Sequence, residues 1–286
     1  MRDSFIKLHI SIFLAGFTGL FGKIITLNEG VLVWYRMLFA SVFLFLMLWG
    51  GRKLRRVPIR DLVKIGGSGL LLAFHWVFFY GSIKASNVSI GVVCYSLVGF
   101  FTAVLEPLIN KKRFVLRELL FSLLTVGGIA LIFQLDTRYR VGILLGVVSS
   151  AFSTLFTISS KRLGERFSSS VLLTYEMIGG FLGLTCLLPF FLIYFPVEHF
   201  LPDARNLVYL LILSSVCTIG VYLLQIQALK NVSAFTVNLS YNLEPVYSII
   251  LAMLFFGEAR ELNFAFYIGL SMIICSVLLQ TRRALT

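Results

Sequence analysis

The sequence predicts an all-α integral membrane protein with ten transmembrane helices, arranged as two inverted five-helix repeats. Three observations carry this. Of 286 residues, 58% are hydrophobic and 13% charged, about half the charge of an average soluble domain. The apolar residues gather into runs of about 20, the length that crosses a hydrocarbon core near 30 Å thick. Short motifs also recur in the same order in the two halves of the chain.

The first run, residues 8–27, follows Arg2 and Lys7 as a secretory leader would. It continues to Lys23 without a small-residue cleavage site, so it reads as a retained span. The second run, 31–50, ends at the basic stretch Arg52 to Arg60. Runs 65–83 and 89–110 follow, the latter stopping at Lys111-Lys112-Arg113, and run 116–135 closes the first half at Asp136. Runs 141–160 and 170–195 flank Lys161, Arg162 and Arg166; run 207–229 follows a loop carrying Glu198 and Asp203. Run 233–256 contains Pro245, and run 262–281 stops before Arg282-Arg283. Ten spans leave loops and tails of about eight residues each. No globular domain fits outside the bilayer, and any function lies between the helices.

The formal charge of +12 reads as topology rather than as a nucleic-acid footprint, because cytoplasmic loops retain Lys and Arg. With the N-terminus inside, 18 of the 25 cations fall on cytoplasmic segments. Both termini are therefore expected in the cytoplasm, in a cell membrane. The loop Asp136-Thr-Arg-Tyr-Arg140 is the exception, with two arginines on the outer side.

Gly19-Leu-Phe21 recurs as Thr154-Leu-Phe156, Tyr35-Arg36 as Tyr175-Glu176, Asn87-Val-Ser89 as Asn231-Val-Ser233, and Tyr95-Ser-Leu-Val-Gly99 as Tyr241-Asn-Leu-Glu-Pro245. The drifting offset is what loop insertions between duplicated halves produce. The halves are expected at 1–136 and 137–286. Five helices per half is an odd number, so the second half enters from the opposite side. The loop after the second helix is basic and its counterpart, Pro196 to Asn206, is acidic, as opposite faces require.

At this point the chain resembles the drug/metabolite transporter superfamily, in particular its ten-helix EamA-type members. Lys23 followed by Arg36 resembles the opening pattern, and Pro245 followed by Phe256-Gly-Glu258-Ala-Arg260 resembles the end of the second repeat. Gly99 and Lys112 depart from the first-repeat pattern, where proline and glutamate are usual. The resemblance implies two EamA-like repeats and a secondary transporter, often an exporter of amino acids or other small metabolites. It also implies a cavity lined mainly by helices 1, 3, 4, 6, 8 and 9, no enzymatic activity and no cofactor.

Ionisable groups inside a bilayer are functional suspects, here Lys23, Arg36, Glu106, Glu176 and Glu244. Glu244 is the sharpest, because Pro245 follows it and frees the carbonyl of Tyr241. Thr236, Ser240, Glu244 and Ser248 recur every four residues as one polar stripe with Tyr241 beside it. Burial disfavours a charged carboxylate, which suits a proton-coupling or cation-binding group; a paired structural glutamate at a kink is the alternative. Glu106-Pro107 is either a second polar station or a partly solvated carboxylate near Lys111, Lys112 and Arg113. Lys23 either meets an anionic substrate group or reaches the interface. Arg36 and Glu176, at equivalent repeat positions, read as boundary residues that snorkel or pair locally.

Tyr222 and Gln225 share a helix face with Ser214 and Thr218. Trp76 and Tyr80 lie one turn apart with His75 adjacent, and Tyr95 begins the face that ends at Glu106. Such rings with polar tips suit amphipathic metabolites, or simply helix packing. The stripes Gly142, Gly146, Ser150, Thr154 and Gly179, Gly183 permit close helix approach. No His pair has metal-site spacing and no phosphate-binding loop occurs. The expected partners are the bilayer, a small-molecule substrate and a proton or counter-substrate. The competing readings are cation or drug efflux by Glu-dependent proton exchange, and a non-transporting membrane-embedded enzyme or sensor.

Overall fold

A computed structural model describes residues 2–52, 57–133, 139–197, 199–257 and 264–284. The described residues are helical, with no strand among them. In order they form α1 (Arg2–Ile24), α2 (Glu29–Gly50), α3 (Ile59–Ala85), α4 (Val88–Tyr95), α5 (Val98–Asn110), α6 (Leu116–Phe133) and α7 (Arg140–Gly164). There follow α8 (Ser169–Tyr194), α9 (Ala204–Ser214), a π segment (Ser215–Gly220), α10 (Val221–Leu229), α11 (Ala234–Ser240), a 3₁₀ turn (Tyr241–Leu243), α12 (Glu244–Phe256) and α13 (Phe264–Ala284). Taken through their interruptions, eight helices are long and apolar enough to cross a membrane. Their outer faces bear large apolar side chains, among them Trp49, Val63, Phe190 and Leu254, a surface that needs lipid rather than water against it.

Local chemistry places the helix starts. Asn28 Oδ1 accepts from Gly30 N, Asn87 Oδ1 from Ile90 N, Asp203 Oδ1 from Asn206 N, and Ser233 Oγ from Thr236 N. Each satisfies an amide that the first turn leaves without a partner. The recurring Asn-Val-Ser motif therefore serves as a cap in both halves, through Asn87 in one and Ser233 in the other. Three apolar runs are not continuous α-helices. The run 89–110 breaks after Tyr95, 207–229 widens into the π segment, and 233–256 tightens at Tyr241–Leu243.

Small residues set the spacing. A Cβ at Gly180 would stand 2.6 Å from the Met37 side chain and 2.7 Å from the Gly69 carbonyl, and Gly179 meets the Gly66 backbone. Thus α8 lies on α3 almost backbone to backbone. Gly142 and Gly146 face Ser86 and Cys94, while Ser150 and Thr154 of the same stripe donate to the carbonyls of Cys94 (2.8 Å) and Val98 (3.2 Å). Both stripes are packing surfaces, as their spacing implies. Helix α13 lies on α6 through Gly128, whose Cβ would sit 2.6 Å from the Gly269 carbonyl, and through the bond from Ser276 Oγ to the Phe121 carbonyl (2.7 Å).

Helix α3 is the hub. Its 27 residues span about 40 Å, and different loops are tied to its two ends. At its end, Lys84 Nζ donates to the carbonyl of Leu27 in the α1–α2 loop. At its start, Asp61 accepts both terminal nitrogens of Arg166, in the α7–α8 loop, at 3.1 Å each. The α1–α2 loop also meets the start of α9: Thr26 N donates to Asn206 Oδ1 (3.1 Å) and Asn206 Nδ2 to Thr26 Oγ1 (2.9 Å). The expected repeat boundary at 136/137, the arginine loop before Arg140, and Glu198, Glu258 and Arg260 lie outside the described residues.

Candidate functional site

At mid-bundle α1, α2, α3, α4, the π segment, α10, the 3₁₀ turn and α12 enclose a polar cavity. Its walls include Thr18, Arg36, His75, Trp76, Phe79, Tyr95, Cys217, Tyr222, Tyr241 and Glu244. Its volume is about 20 Å³, room for one water and no metabolite.

Arg36 dominates the wall. Its side chain has no exposure to solvent, which corrects the expectation of a snorkelling boundary residue. Nε donates to Thr218 Oγ1 (2.7 Å), one terminal nitrogen to Tyr80 Oη (2.7 Å) and the other to the Cys217 carbonyl (3.0 Å). The guanidinium also lies over the Trp76 ring, 3.6 Å from its centroid. Three acceptors and an aromatic face offset the loss of hydration, so the side chain need not reach the interface. The π segment makes this possible. Its wide turn sends the Thr218 hydroxyl hydrogen to the Leu213 carbonyl (2.8 Å) and turns the Cys217 carbonyl towards Arg36. Such bulges are common at functional sites.

Glu244 faces the same cavity and is buried. Among the described residues no salt bridge joins it to Arg36, so the guanidinium and the carboxyl group border one space without closing it. The carbonyl that Pro245 was expected to free is occupied: the amide of Glu244 donates to the Tyr241 carbonyl within the 3₁₀ turn. The expected polar stripe is divided for the same reason. The turn rotates α12 relative to α11, so Ser240 Oγ bonds back to the Thr236 carbonyl (2.8 Å) and Ser248 Oγ reaches the Gly16 carbonyl (2.7 Å). Only Glu244 of the four lines the cavity.

The aromatic residues are oriented by hydrogen bonds. Trp76 Nε1 donates to Tyr222 Oη (3.1 Å), Tyr95 Oη meets Ser153 Oγ (3.2 Å), and Tyr241 Oη is bonded to Ser11. Ser11 in turn donates to the Val221 carbonyl (3.1 Å), so Tyr241 is the donor of its pair. His75 Nδ1 lies 2.8 Å from Ser149 Oγ and 3.1 Å from the Ser149 carbonyl. A carbonyl only accepts, so Nδ1 carries the proton and Nε2 remains an acceptor. Thus α7 holds the rings from behind through Ser149 and Ser153 without lining the cavity, whereas α2, absent from the expected lining, supplies Arg36.

Of the residues singled out from sequence, the structure gathers Glu244, Tyr241, Tyr222, Trp76 and Tyr95 around the cavity. Tyr80 stands behind Arg36 as its acceptor, and Gln225 is buried one turn from Tyr222 with Oε1 unpartnered. Three lie elsewhere. Ser240 bonds its own helix, Lys23 is over the Phe256 ring, 4.5 Å from its centroid at the end of α12, and Glu106 stands 4.0 Å from Lys112 near the end of α5. Glu176, expected at a boundary, has no exposure; its Oε1 accepts from Ser68 (2.9 Å) and Ser160, and its Oε2 has no partner. It is buried because the glycine seam brings α8 hard against α3. From sequence Arg36 read as a boundary residue and His75 only as a neighbour of Trp76 and Tyr80, and Thr18 was not singled out; all three line the cavity. The available signal was that a buried arginine needs acceptors, and Tyr80 and Thr218 supply them.

Apolar helices around a cavity with buried ionisable groups define a multi-pass membrane protein with an intramembrane polar site. The chain belongs to the EamA-like transporter family, which matches residues 5–134 and again 140–282. It is 26% identical over 265 residues to "Uncharacterized transporter YxxF" of Bacillus subtilis (strain 168), covering 90% of this chain and 83% of that protein. An "Uncharacterized transporter" of Haemophilus influenzae is 23% identical over 268 residues, covering 88% and 85%. A solved crystal structure superposes over the full length of both chains with a TM-score of 0.71 at 16% identity, a likeness of fold.

Proposed function

We propose that this transporter moves a small zwitterionic metabolite such as an amino acid out of the cell by alternating access, through the cavity between Arg36 and Glu244. The observation that carries the reading is that pair: a guanidinium and a carboxylate bordering one space, unbridged, between aromatic walls. An α-carboxylate suits Arg36 and an α-ammonium suits Glu244. Lone cation or drug efflux would rest on Glu244 alone, and Arg36 at the same cavity repels a cation. A membrane enzyme or sensor has no need of a two-sided construction.

The ties at the two ends of α3 support ten spans in two inverted repeats, 1–136 and 137–286. Arg166 follows Thr26 by 140 residues and Asn206 follows Asp61 by 145, offsets within those of the sequence repeat. Thr26–Asn206 and Arg166–Asp61 are thus equivalent clasps at opposite ends of the bundle. The lysines obey the same relation: Lys84 donates to Leu27, and Lys230 to Phe167 (3.3 Å). The family match falling twice on the chain agrees. With both clasps shut the cavity holds no metabolite; transport opens one at a time. The excess of cations supports a cytoplasmic position for the Arg166–Asp61 clasp and both termini. A proton on Glu244, or a counter-substrate, drives the return step.

The test begins with a thermal-shift screen of the purified protein against amino acids, nucleosides, sugars and lipophilic cations. Compounds that shift are then followed for movement across proteoliposomes, with Glu244→Gln alongside. The expected result is translocation of an amino acid, lost or made pH-insensitive in the variant. Binding without translocation, or an unaltered Glu244→Gln, sinks the proposal.

A further inference from the structure

A second and much larger concavity, about 700 Å³, lies between α3, α5 and α7 and shares no lining residue with the central cavity. Its floor is apolar, with Leu71, Leu155, Ile158 and Leu163; its charged residues are Lys64, Arg162 and Arg166. On α7 the lining runs from Leu155 to the loop at Arg166, about 16 Å along the helix. The charges lie towards the clasp end, and Leu71, Leu155 and Ile158 deeper into the bundle. Of the acids at this end, Asp61 is held by Arg166, Glu106 stands 4.0 Å from Lys112 and Glu165 is exposed beside Arg166; none of the three lines the groove. Arg162 gives one nitrogen to the Ile109 carbonyl (2.8 Å) and keeps its other donors, while Lys64 is exposed. Three lining cations, with no acid among the lining residues, leave a positive mouth over an apolar trough, beside exposed apolar side chains such as Val63 (70% exposed) and Leu108 (58%).

We propose that this groove seats an anionic phospholipid, its phosphate between Lys64 and Arg162 and one acyl chain along Leu71, Leu155 and Ile158. Charge complementarity selects the headgroup, since a basic pocket between helices at a leaflet carrying anionic lipid attracts it over a zwitterionic one. The apolar trough selects a lipid over a free anion. The seated lipid would touch Ser68, which donates to Glu176, and Arg166 of the clasp, so its headgroup is placed to bias the opening of that end.

The test uses the full chain in detergent, titrated with phosphatidylglycerol or phosphatidylcholine of matched chains, with bound lipid counted by native mass spectrometry. Phosphatidylglycerol is expected to bind at least tenfold more tightly. Lys64→Gln with Arg162→Gln removes two surface cations and is expected to weaken it about thirtyfold, and to weaken phosphatidylcholine, whose choline offsets its phosphate charge, much less. Gly67 lines the groove and has nothing within 4 Å of an added Cβ, so Gly67→Phe is expected to put its ring in the trough and displace the lipid with all charges kept. Arg205→Gln, away from the groove, controls for general loss of charge. Equal binding of the two lipids, selectivity that survives both groove variants, or competition by inorganic phosphate alone at the same concentration overturns the proposal.

Discussion

Replacing Arg36 by lysine keeps the charge and removes the geometry. The guanidinium donates at once to Thr218, Tyr80 and Cys217 and stacks on Trp76 at 3.6 Å. A lysine ammonium has the same charge but neither the planar fork nor the flat face. It can reach one of the three acceptors, and the other two stay buried without their donor. Two charge-assisted hydrogen bonds are worth about 1.5–3 kcal/mol each, and a desolvated cation–π contact about 2 kcal/mol. Repacking and the surviving bond offset part of this, so a net loss of about 3 kcal/mol is expected. At about 2–4 °C per kcal/mol for a chain of this size, the midpoint falls by roughly 6–12 °C. The assay is thermal unfolding in detergent followed by tryptophan fluorescence, to which Trp76 contributes directly. Arg205→Lys, at an exposed site where Nε meets Tyr209, should leave the midpoint unchanged. If Arg36→Lys moved it no more than that control, the guanidinium would not be the organising group of the cavity.

The two clasps predict opposite changes in access to Cys217, which lines the cavity. With Cys94, Cys186 and Cys275 replaced, Asp61→Asn should raise its labelling by an impermeant maleimide from the Arg166 side, and Asn206→Ala from the Thr26 side. Equal labelling from both sides in each variant would show that the pairs do not gate. The α3–α8 seam predicts that Gly180→Ala costs about 1–3 kcal/mol by overpacking, because the new Cβ meets Met37 and the Gly69 backbone at 2.6–2.7 Å. Gly67→Ala, with open space around it, should be near neutral in the same melt, and indistinguishable midpoints would refute the close approach.

The eight membrane-crossing helices found among the described residues were legible because lipid imposes one rule, that backbone groups bond within the segment, and apolar runs of fixed length follow from it. Observed helices start earlier than the runs at α1 and α3, since Arg2, Lys7, Arg60 and Lys64 extend into the headgroup region without ending the helix. The interruptions were not legible. The π segment Ser215–Gly220 carries no breaker beyond its terminal glycine, and it forms where Arg36 calls for a carbonyl. The turn at Tyr241–Leu243 was marked by Pro245, but whether the proline would free the Tyr241 carbonyl or have it taken up locally depends on backbone geometry.

Sequence by itself determined the class of protein, the order of its helices, the recurring motifs and the aromatic residues that meet at the cavity. It did so because burial in lipid, helix capping and close packing are local demands written in residue type. Only the tertiary structure decided that Arg36 lines the cavity and Lys23, Glu106 and Ser240 do not, and that Thr26 is bonded to Asn206 and Arg166 to Asp61. A buried charge is tolerated only where several distant elements bring acceptors to it, and sequence spacing along one helix carries no record of what the neighbouring helices present.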